Sequence, residues 1–413
     1  MSASALRLNL AITVGPEKPD DIETILSGPW PILVDYPCNH EWPTDISLER
    51  MHSALEHHDR VRGIHLNGER CWFKDFFKAT SCPFPALEIL YLRYRSWDLE
   101  IPDTFLGGPD LSNLRLRSLT LRNVPLTPIS GLLSFATSLT DLHLELSDSS
   151  SPSVGTSLVA SLQGMHCLHK LDLRFSLFSS PSQPPIPKEV VPLAKLTNFR
   201  YHGSSSFLYA LVAGISAPAL CEVHLEFRGA IESPIVHLPR FIDEIGQQYQ
   251  TVLVNIDDRV GSWTYSIWLG FRNPGLYLES YDDPRRYPES MMQIIGAISP
   301  KLSTVKKLRI SFYDCKHPDY DWEDYLPWRM FYRHLSSVKT IRISYSMART
   351  LYQDHGEPDL FVLPALEEIY FCKRETVIDE SERGTFLAAF QPFLTAREQA
   401  GRPVNVFFSS DLP

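Results

Sequence analysis

Apolar residues recur along the chain in short segments of the form L-x-x-L-x-L, separated by polar residues. The segment LRLRSLTLRNVPL shows the pattern through Leu116, Leu119 and Leu121. Near the end of each copy, apolar and polar residues alternate, which directs one side of a short β-strand to a core and the other side to solvent. The pattern therefore predicts a series of similar strands. Their copies begin at Val61, Leu87, Leu116, Leu139, Leu168, Leu196, Leu220, Val305, Val338 and Leu366.

The copies are regularly spaced. Apart from the gap between Leu220 and Val305, the spacing runs from 23 residues (Leu116 to Leu139) to 33 residues (Val305 to Val338). This lies within or just beyond the interval expected of leucine-rich repeats. The segments between strands include helix-length stretches with apolar residues at helical spacing. They are SLERMHSALEHHD, with Ser47 as its expected N-cap, PISGLLSFAT and VGTSLVASLQGM.

A strand followed by a short helix, repeated in parallel, can bury its apolar face only by stacking on its neighbours. We therefore predict an α/β fold: an irregular leucine-rich-repeat-like solenoid with a curved, mostly parallel sheet on one face and short helices and loops on the other. An alternating α/β sandwich is the alternative, although such a fold does not require regular spacing.

We expect one solenoid domain over residues 1–413. Its parts are an N-terminal capping region at 1–57, clear repeats at 58–227, degenerate repeats at 228–300, and C-terminal repeats with a cap at 301–413. In the degenerate part, YQTVLVNID and SWTYSIWLGF still predict strands because they are rich in β-branched and aromatic residues, but their register stays open. The segment ALRLNLAI predicts a first strand, and the proline-rich SSPSQPPIPKEVVP predicts an exposed loop.

The repeats lack the Asn that regular leucine-rich repeats place after the strand, where it satisfies backbone groups of the turn. The sequence therefore predicts no Asn ladder, turns satisfied differently in each repeat, and uneven curvature. The nine equivalent positions hold Glu69, Arg95, Val124, Ser147, Ser176, Arg228, Tyr313, Ser346 and Arg374.

Composition and charge narrow the range of partners. A formal net charge of -10 and a pI near 5.8 argue against general nucleic-acid binding, which needs clustered Lys and Arg. No apolar run approaches the length needed to span a membrane, and the N-terminus does not resemble a signal peptide. The seven cysteines form no C-x-x-C pair, so neither a zinc framework nor a disulfide scaffold is indicated. A cytosolic or nuclear location fits these features best.

No catalytic motif, cofactor motif or metal-ligand spacing occurs in the sequence. The cluster His57, His58 and Asp59 could bind a metal or move protons, but it follows a predicted helix, where exposed polar residues are ordinary. The segment CNHEW, residues 38–42, would need distant partners because adjacent strand residues point to opposite faces. We therefore predict no catalytic, metal or cofactor site, and an enzyme using His57, His58 or Cys38 is the least favoured hypothesis.

The polar side of the predicted sheet is the better candidate for function. Residues between the inward-pointing leucines form a continuous exposed ribbon, and repeat proteins usually bind partners on such a surface. Tyr and Arg are favoured anchors of protein interfaces. We therefore predict a partner-binding strand face formed by Tyr91, Arg93, Arg122, His143, Arg174, Arg200 and His224.

The repeats resemble those of F-box and leucine-rich-repeat-like proteins of mushroom-forming fungi (basidiomycetes). The most specific part is C-terminal: LSTVKKLRIS, DYDWEDYLPW, LSSVKTIRIS and VLPALEEIYF, followed by FLAAFQPFLTAREQAGRPVNVFF. That last segment is similar to the family's closing helix and strand through Ala396, Arg397, Gly401, Pro403 and the stretch 404–408. The resemblance covers nearly the whole chain, weakly in residues 228–300, and it implies a substrate-recognition or partner-recognition role without catalytic residues.

Members of that family usually begin with an F-box, a helical module that docks on the adaptor of a cullin-RING ubiquitin ligase. No such module precedes ALRLNLAI in this sequence, so we expect adaptor binding only if an F-box lies upstream of Met1. The leading hypothesis is a non-catalytic protein-recognition domain linked to recruitment of ubiquitin-ligase substrates. The alternative is a stand-alone scaffold or interaction protein with no ligase link.

Overall fold

The structure is a computed structural model in which most of the chain can be described. The described residues are 12–14, 26–36, 45–94, 101–102, 104–108, 114–124, 131–134, 136–146, 154–175, 187, 189–228, 231, 235–246, 248–259, 262–270, 275–282, 287–313, 326–348, 351, 362–372 and 380–409. The chain divides into two compact units. The first comprises residues 1–203 and 210–219, and the second comprises residues 204–209 and 220–413.

The sheet of the first unit is parallel throughout its described strands. Their order is the order of the sequence, and only the short strands β8 and β10, which pair with each other, stand apart. The strands are β1 (Ile12–Val14), β2 (Ile32–Tyr36), β3 (Val61–Gly68), β4 (Ile89–Tyr94), β5 (Ser118–Val124), β6 (Asp141–Leu146), β7 (Lys170–Phe175), β8 (Val191–Pro192), β9 (Asn198–Gly203) and β10 (Ile215–Ser216).

The sheet of the second unit is mixed. Its strand order is β11-β14-β13-β12-β15-β16-β17-β18, and β13 runs antiparallel to both of its neighbours while the other pairs are parallel. The strands are β11 (Glu222–Arg228), β12 (Thr251–Arg259), β13 (Ser262–Leu269), β14 (Leu276–Asp282), β15 (Lys307–Tyr313), β16 (Thr340–Ser344), β17 (Glu368–Cys372) and β18 (Asn405–Ser409). The two strands predicted with open register are therefore β12 and β13, which form an antiparallel hairpin.

The helices range from 4 to 20 residues, and the two longest lie in the second unit. They are α1 (Asp45–Glu56), α2 (Arg70–Ala79), α3 (Val154–Leu162), α4 (Ser205–Gly214), α5 (Leu238–Asp243), α6 (Tyr287–Leu302), α7 (Leu326–Arg333), α8 (Tyr345–Ala348) and α9 (Glu380–Gln399). Short helical turns also cover Phe105–Gly107 and residues 131–134. Within the described ranges, no helix combines the length and apolar character needed to cross a bilayer.

The predicted inward and outward faces of the strands are confirmed in both units. Leu116, Leu119 and Leu121 are completely buried, and the corresponding apolar residues of the other nine copies are also buried. Helices pack on this apolar side, as the ring of Phe73 in α2 does against Tyr94 in β4. Burying a leucine side chain contributes about 2 kcal/mol, so stacked apolar rows supply much of the driving force for folding. The predicted curvature of the sheet stays a prediction.

A ladder of backbone hydrogen bonds links successive repeats just before each strand begins. The N–H of Glu88 donates to the carbonyl of Arg62, that of Arg117 to Glu88, and that of Thr140 to Arg117. The series continues from His169 to Thr140 and from Thr197 to His169. The second unit has a similar ladder. Its backbone N–H donors and carbonyl acceptors are Lys306 to Gln250, Lys339 to Lys306, Glu367 to Lys339 and Asn405 to Glu367. These bonds satisfy backbone groups that would otherwise be left unpaired at each turn.

The turn after β5 differs in detail from the prediction. Val124 does occupy the expected Asn position, but the preceding Asn123 adopts a left-handed backbone conformation (φ 61°). Its Nδ2 donates a 2.7 Å hydrogen bond to the carbonyl of Tyr94 on the neighbouring strand, and the pairing of β5 with β6 shifts register at this point. In this repeat an Asn side chain does bond to a backbone carbonyl, but the Asn lies one position before the expected one. Of the other predicted positions, Arg95, Ser147, Ser176 and Arg374 lie outside the described residues.

Ser47 is not the N-cap of α1, because that helix begins at Asp45 and Ser47 lies inside it. The prediction placed the start too late because it relied on the first apolar residue at helical spacing. An aspartate is itself favoured in the first turn, where the helix dipole attracts negative charge. The described part of ALRLNLAI is residue 12, at the start of β1, and residues 5–11 lie outside the described residues.

The closing helix and strand predicted from the C-terminal resemblance are present as α9 and β18. Arg397, in the last turn of α9, is only 1% exposed. Its guanidinium donates to the carbonyls of Val362, Leu363 and Leu366 at 3.2 to 3.3 Å. Burial, and more weakly the charge of Arg402, lowers the pKa of Arg397. Arg397 thus attaches the last helix to the turn that precedes β17.

Candidate functional site

Two adjacent rows of side chains on the polar side of the first unit's sheet together form what we call the strand face. In each row, residues on adjacent strands are register partners and lie side by side. The middle row is His65, Tyr91, Thr120, His143, Asp172 and Arg200, and the end row is Asn67, Arg93, Arg122, Glu145, Arg174 and His202. Six of the seven predicted site residues belong to these two rows.

Asp172 is the centre of the most tightly paired cluster on the strand face. Nδ1 of His143 lies 2.8 Å from its Oδ2, and Arg174, two residues along β7, reaches both carboxylate oxygens at 3.3 Å. Burial of the Asp172 carboxyl opposes ionisation, but the hydrogen bonds and charges of His143 and Arg174 outweigh it and hold its pKa at about 2. The carboxylate is therefore charged at any physiological pH, and it fixes the positions of two predicted site residues.

A second chain of contacts runs through Tyr91. The His65 ring meets the Tyr91 ring edge-on at 4.1 Å, and Nδ1 of His65 lies 2.8 Å from Oδ1 of Asp35. On the other side, the Arg122 guanidinium lies over the Tyr91 ring at 5.9 Å from its centroid. Nε of Arg122 is also 3.8 Å from Oε2 of Glu145, too far for a hydrogen bond. Tyr91 and Arg122 are therefore held by neighbours on both sides.

Arg93 differs from the other predicted arginines. It is exposed at the end of β4, register-paired with Arg122, and it has no ion pair among the described residues. Two arginines side by side on adjacent strands repel one another modestly. Arg93 therefore presents a cation that a partner's carboxylate could neutralise.

The His143 and Asp172 pair has no nucleophile hydrogen-bonded to it among the described residues. Nε2 of His143 is buried and has no hydrogen-bond partner within the described part of the chain, so no serine or cysteine hydroxyl or thiol is placed on it. A nucleophile within hydrogen-bond reach of the base is the first geometric requirement of hydrolytic chemistry.

His224, the seventh predicted residue, belongs to the second unit. Its ring meets Tyr277 on β14 at 4.2 Å, and Tyr277 in turn meets Trp268 on β13 at 4.1 Å. Trp268 is 42% exposed and donates through Nε1 to the Ser266 hydroxyl at 3.2 Å. Beside this aromatic group, Glu226 on β11 is the register partner of Glu279 on β14.

The described structure gives no support to the metal or acid-base candidates His57, His58 and Asp59. His57 and Asp59 lie in the turn that follows α1, and the His58 ring packs edge-on against Phe84 at 6.0 Å. These three residues do not form a metal-ligating group in the described structure. Cys38 and the rest of CNHEW lie outside the described residues, as do residues 319–325 of DYDWEDYLPW.

Sequence reasoning missed His65 and the organising role of Asp172. His65 could have been found, because VRGIHL alternates like the later copies and places His65 opposite Tyr91. The role of Asp172 could not have been found from the sequence, because it depends on which strands are neighbours. Sequence reasoning also missed the convergence of Glu226 and Glu279. These residues are 53 positions apart in the sequence and meet only through the pairing of β11 with β14.

Comparison with known proteins adds little to this description. The chain matches no family model and no curated protein. A solved structure of the leucine-rich repeat-containing protein LegL7 from Legionella pneumophila covers 93% of this chain and 97% of its own, at 12% identity and a TM-score of 0.28. A TM-score of that size supports no argument about fold or function. The resemblance to the fungal F-box family stays a prediction.

Proposed function

We propose that this chain is a non-catalytic protein-recognition protein that binds another protein on the strand face of its first unit. The observation that supports this most strongly is the internal pairing of the face. His143, Asp172 and Arg174 form one fixed cluster, and Tyr91 and Arg122 belong to another. Side chains that are already held in place lose little entropy when a partner binds, which favours affinity.

The chemical character of the face favours a protein partner over a nucleic acid. Its basic residues alternate with carboxylates, as at Arg122 and Glu145 or Arg174 and Asp172. A phosphate backbone needs an uninterrupted basic surface, and these carboxylates would repel it. A protein surface with both signs of charge can complement such a pattern.

The experiment is partner capture with the full-length chain and matched charge reversals. The test variant carries Arg122→Glu and Arg174→Glu, which reverse two cations of the face. The control is Lys195→Glu, which reverses an exposed cation in the turn before β9. The proposal expects the control to retain the captured protein and the double variant to lose it, while circular dichroism of all three stays native. Capture that survives both reversals would count against this face.

The finer proposal is that recognition serves a cullin-RING ubiquitin ligase, and it is supported only by the resemblance of the repeats and the C-terminal segment to F-box proteins. It expects that this chain alone does not bind the ligase adaptor, and that an in-frame F-box is encoded upstream of Met1. Direct pull-down with purified adaptor and cullin tests the first expectation, and the transcript sequence tests the second. An upstream sequence without an F-box would favour the stand-alone scaffold.

A further inference from the structure

Three metal-ligating side chains converge on the polar side of the second unit's sheet. His224 and Glu226 lie two residues apart on β11 and so point to the same side of the strand, and parallel pairing brings Glu279 on β14 beside Glu226. One ligand atom from each of the three residues lies within 4.8 Å of the others, and all three residues are half-buried.

The charges of this group are compatible with a bound cation. Two carboxylates directly opposite each other on adjacent strands repel, and partial burial strengthens that repulsion. Arg228 is one nearby cation, with its Nε 4.0 Å from Oε1 of Glu226 and its side chain 44% exposed. The Glu226 side chain, in contrast, is only 19% exposed. A bound divalent ion would convert the repulsion into attraction.

We propose that His224, Glu226 and Glu279 bind a single zinc-class divalent metal ion. An imidazole nitrogen with two carboxylate oxygens is a ligand set that zinc accepts at about 2.0 to 2.2 Å per ligand. The three ligand atoms lie within 4.8 Å of one another and would draw closer together around a bound ion. Calcium and magnesium are disfavoured, because both prefer oxygen ligands alone.

The neighbouring aromatic residues support this assignment. The Tyr277 ring packs against His224 at 4.2 Å, and Trp268 packs against Tyr277 at 4.1 Å. Such packing restricts the orientation of the imidazole, which reduces the entropy lost when it binds a metal. Three protein ligands leave at least one coordination position for water or an outside ligand. The site concerns the second unit and does not rest on the function proposed for the strand face.

The test is a titration of the full-length, tag-free chain with zinc chloride after dialysis against a chelator. Isothermal titration calorimetry is expected to show one saturable site per chain. Glu279→Gln removes one ligand with little change in shape, and it is expected to weaken zinc binding by about tenfold or more. The matched control is Glu368→Gln, which removes a half-buried carboxylate on β17 of the same unit and is expected to bind zinc like the unmodified chain.

A second measurement uses only the unmodified chain, so it tests the proposal even if Glu279→Gln does not fold. Cobalt(II) added to the unmodified chain is expected to give the visible absorption of a low-coordinate nitrogen and oxygen site, and excess zinc should abolish it. Zinc, but not excess magnesium or calcium, should also raise the thermal midpoint, because a ligand that binds only the native state stabilises it. The proposal is overturned if the unmodified chain binds no zinc saturably, or if folded Glu279→Gln binds it equally well.

Discussion

Nδ1 of His143 lies 2.8 Å from Oδ2 of Asp172 on the neighbouring strand, and Arg174 reaches the same carboxylate through both of its oxygens. One acidic side chain thus organises two basic ones across β6 and β7. Because Asp172 is buried enough to be costly to ionise alone, its charge depends on these partners. The strand face is therefore a connected electrostatic network in which changing one residue alters the positions of others.

Asp172 should make folding stability depend on pH in the acidic range. Its pKa falls from 3.8 to about 2 in the folded chain, which corresponds to about 2 kcal/mol of stability. A depressed carboxyl pKa contributes stability above its unfolded value and loses it on acidification, so this contribution should disappear between about pH 4 and pH 2. Thermal midpoints across that range should fall more steeply for the unmodified chain than for Asp172→Asn.

The control for this prediction is Asp59→Asn, at an exposed position in the turn after α1. Its acid profile should follow that of the unmodified chain. An Asp172→Asn profile parallel to the control would show that the pairing with His143 and Arg174 contributes nothing to stability.

Asn123 should stabilise the turn after β5 through its side-chain amide. Asn123→Asp keeps the shape and tolerates the left-handed conformation, but it replaces the donor to the Tyr94 carbonyl with a negative oxygen. We expect a loss of about 1 to 3 kcal/mol in the free energy of unfolding, the usual result of leaving a part-buried acceptor unsatisfied. Chemical denaturation measures it.

Asn123→Gly separates the two contributions of this residue. Glycine adopts the positive φ without strain but cannot donate from a side chain. It should therefore destabilise through the lost hydrogen bond, whereas stability unchanged by both substitutions would show that the bond to Tyr94 is not formed in solution.

Arg397 should be essential for the C-terminal part of the second unit. Arg397→Met keeps an unbranched apolar stem but removes the guanidinium, which leaves the carbonyls of Val362, Leu363 and Leu366 without their donor. We expect a loss of about 3 kcal/mol or more, because several buried acceptors lose their partner together. Leu363 has a positive φ of 51°, which is costly for leucine, so this turn depends on outside support.

Arg402→Met is the matched control, since Arg402 is exposed after the end of α9. It should change the thermal midpoint little. Hydrogen exchange of the amides around Leu366 and β17 should accelerate in Arg397→Met alone, and equal exchange in the two variants would contradict the structural role of Arg397.

The strands could be predicted because the signal for them is local. Alternation around Leu119 and Leu121 is a property of a few adjacent residues, and it identifies both the strand and its buried side. The hairpin of β12 and β13 also had a local signal, since only Val260 and Gly261 separate the two strands and so short a connection joins antiparallel neighbours. The repeat pattern alone predicted degenerate repeats there and left the register of these strands open.

Features that depend on strand order could not be predicted in this way. Arg397 resembled an ordinary charged residue near a helix end, and only the fold brings it to the turn around Leu363. The displaced role of Asn123 depends on a register shift between β5 and β6. The His224, Glu226 and Glu279 group needs β14 beside β11, although β12 and β13 come between them in the sequence.

Partner binding through the strand face is tested most directly by the dissociation constant of the complex between this chain and its purified captured partner. Arg93→Glu is the sharpest variant, because Arg93 is exposed and has no ion pair among the described residues, so its reversal leaves the His143 and Asp172 network intact. Binding through the strand face predicts that Arg93→Glu weakens the complex by about tenfold or more, while Lys195→Glu leaves it unchanged. Equal dissociation constants for the unmodified chain and both variants would contradict it.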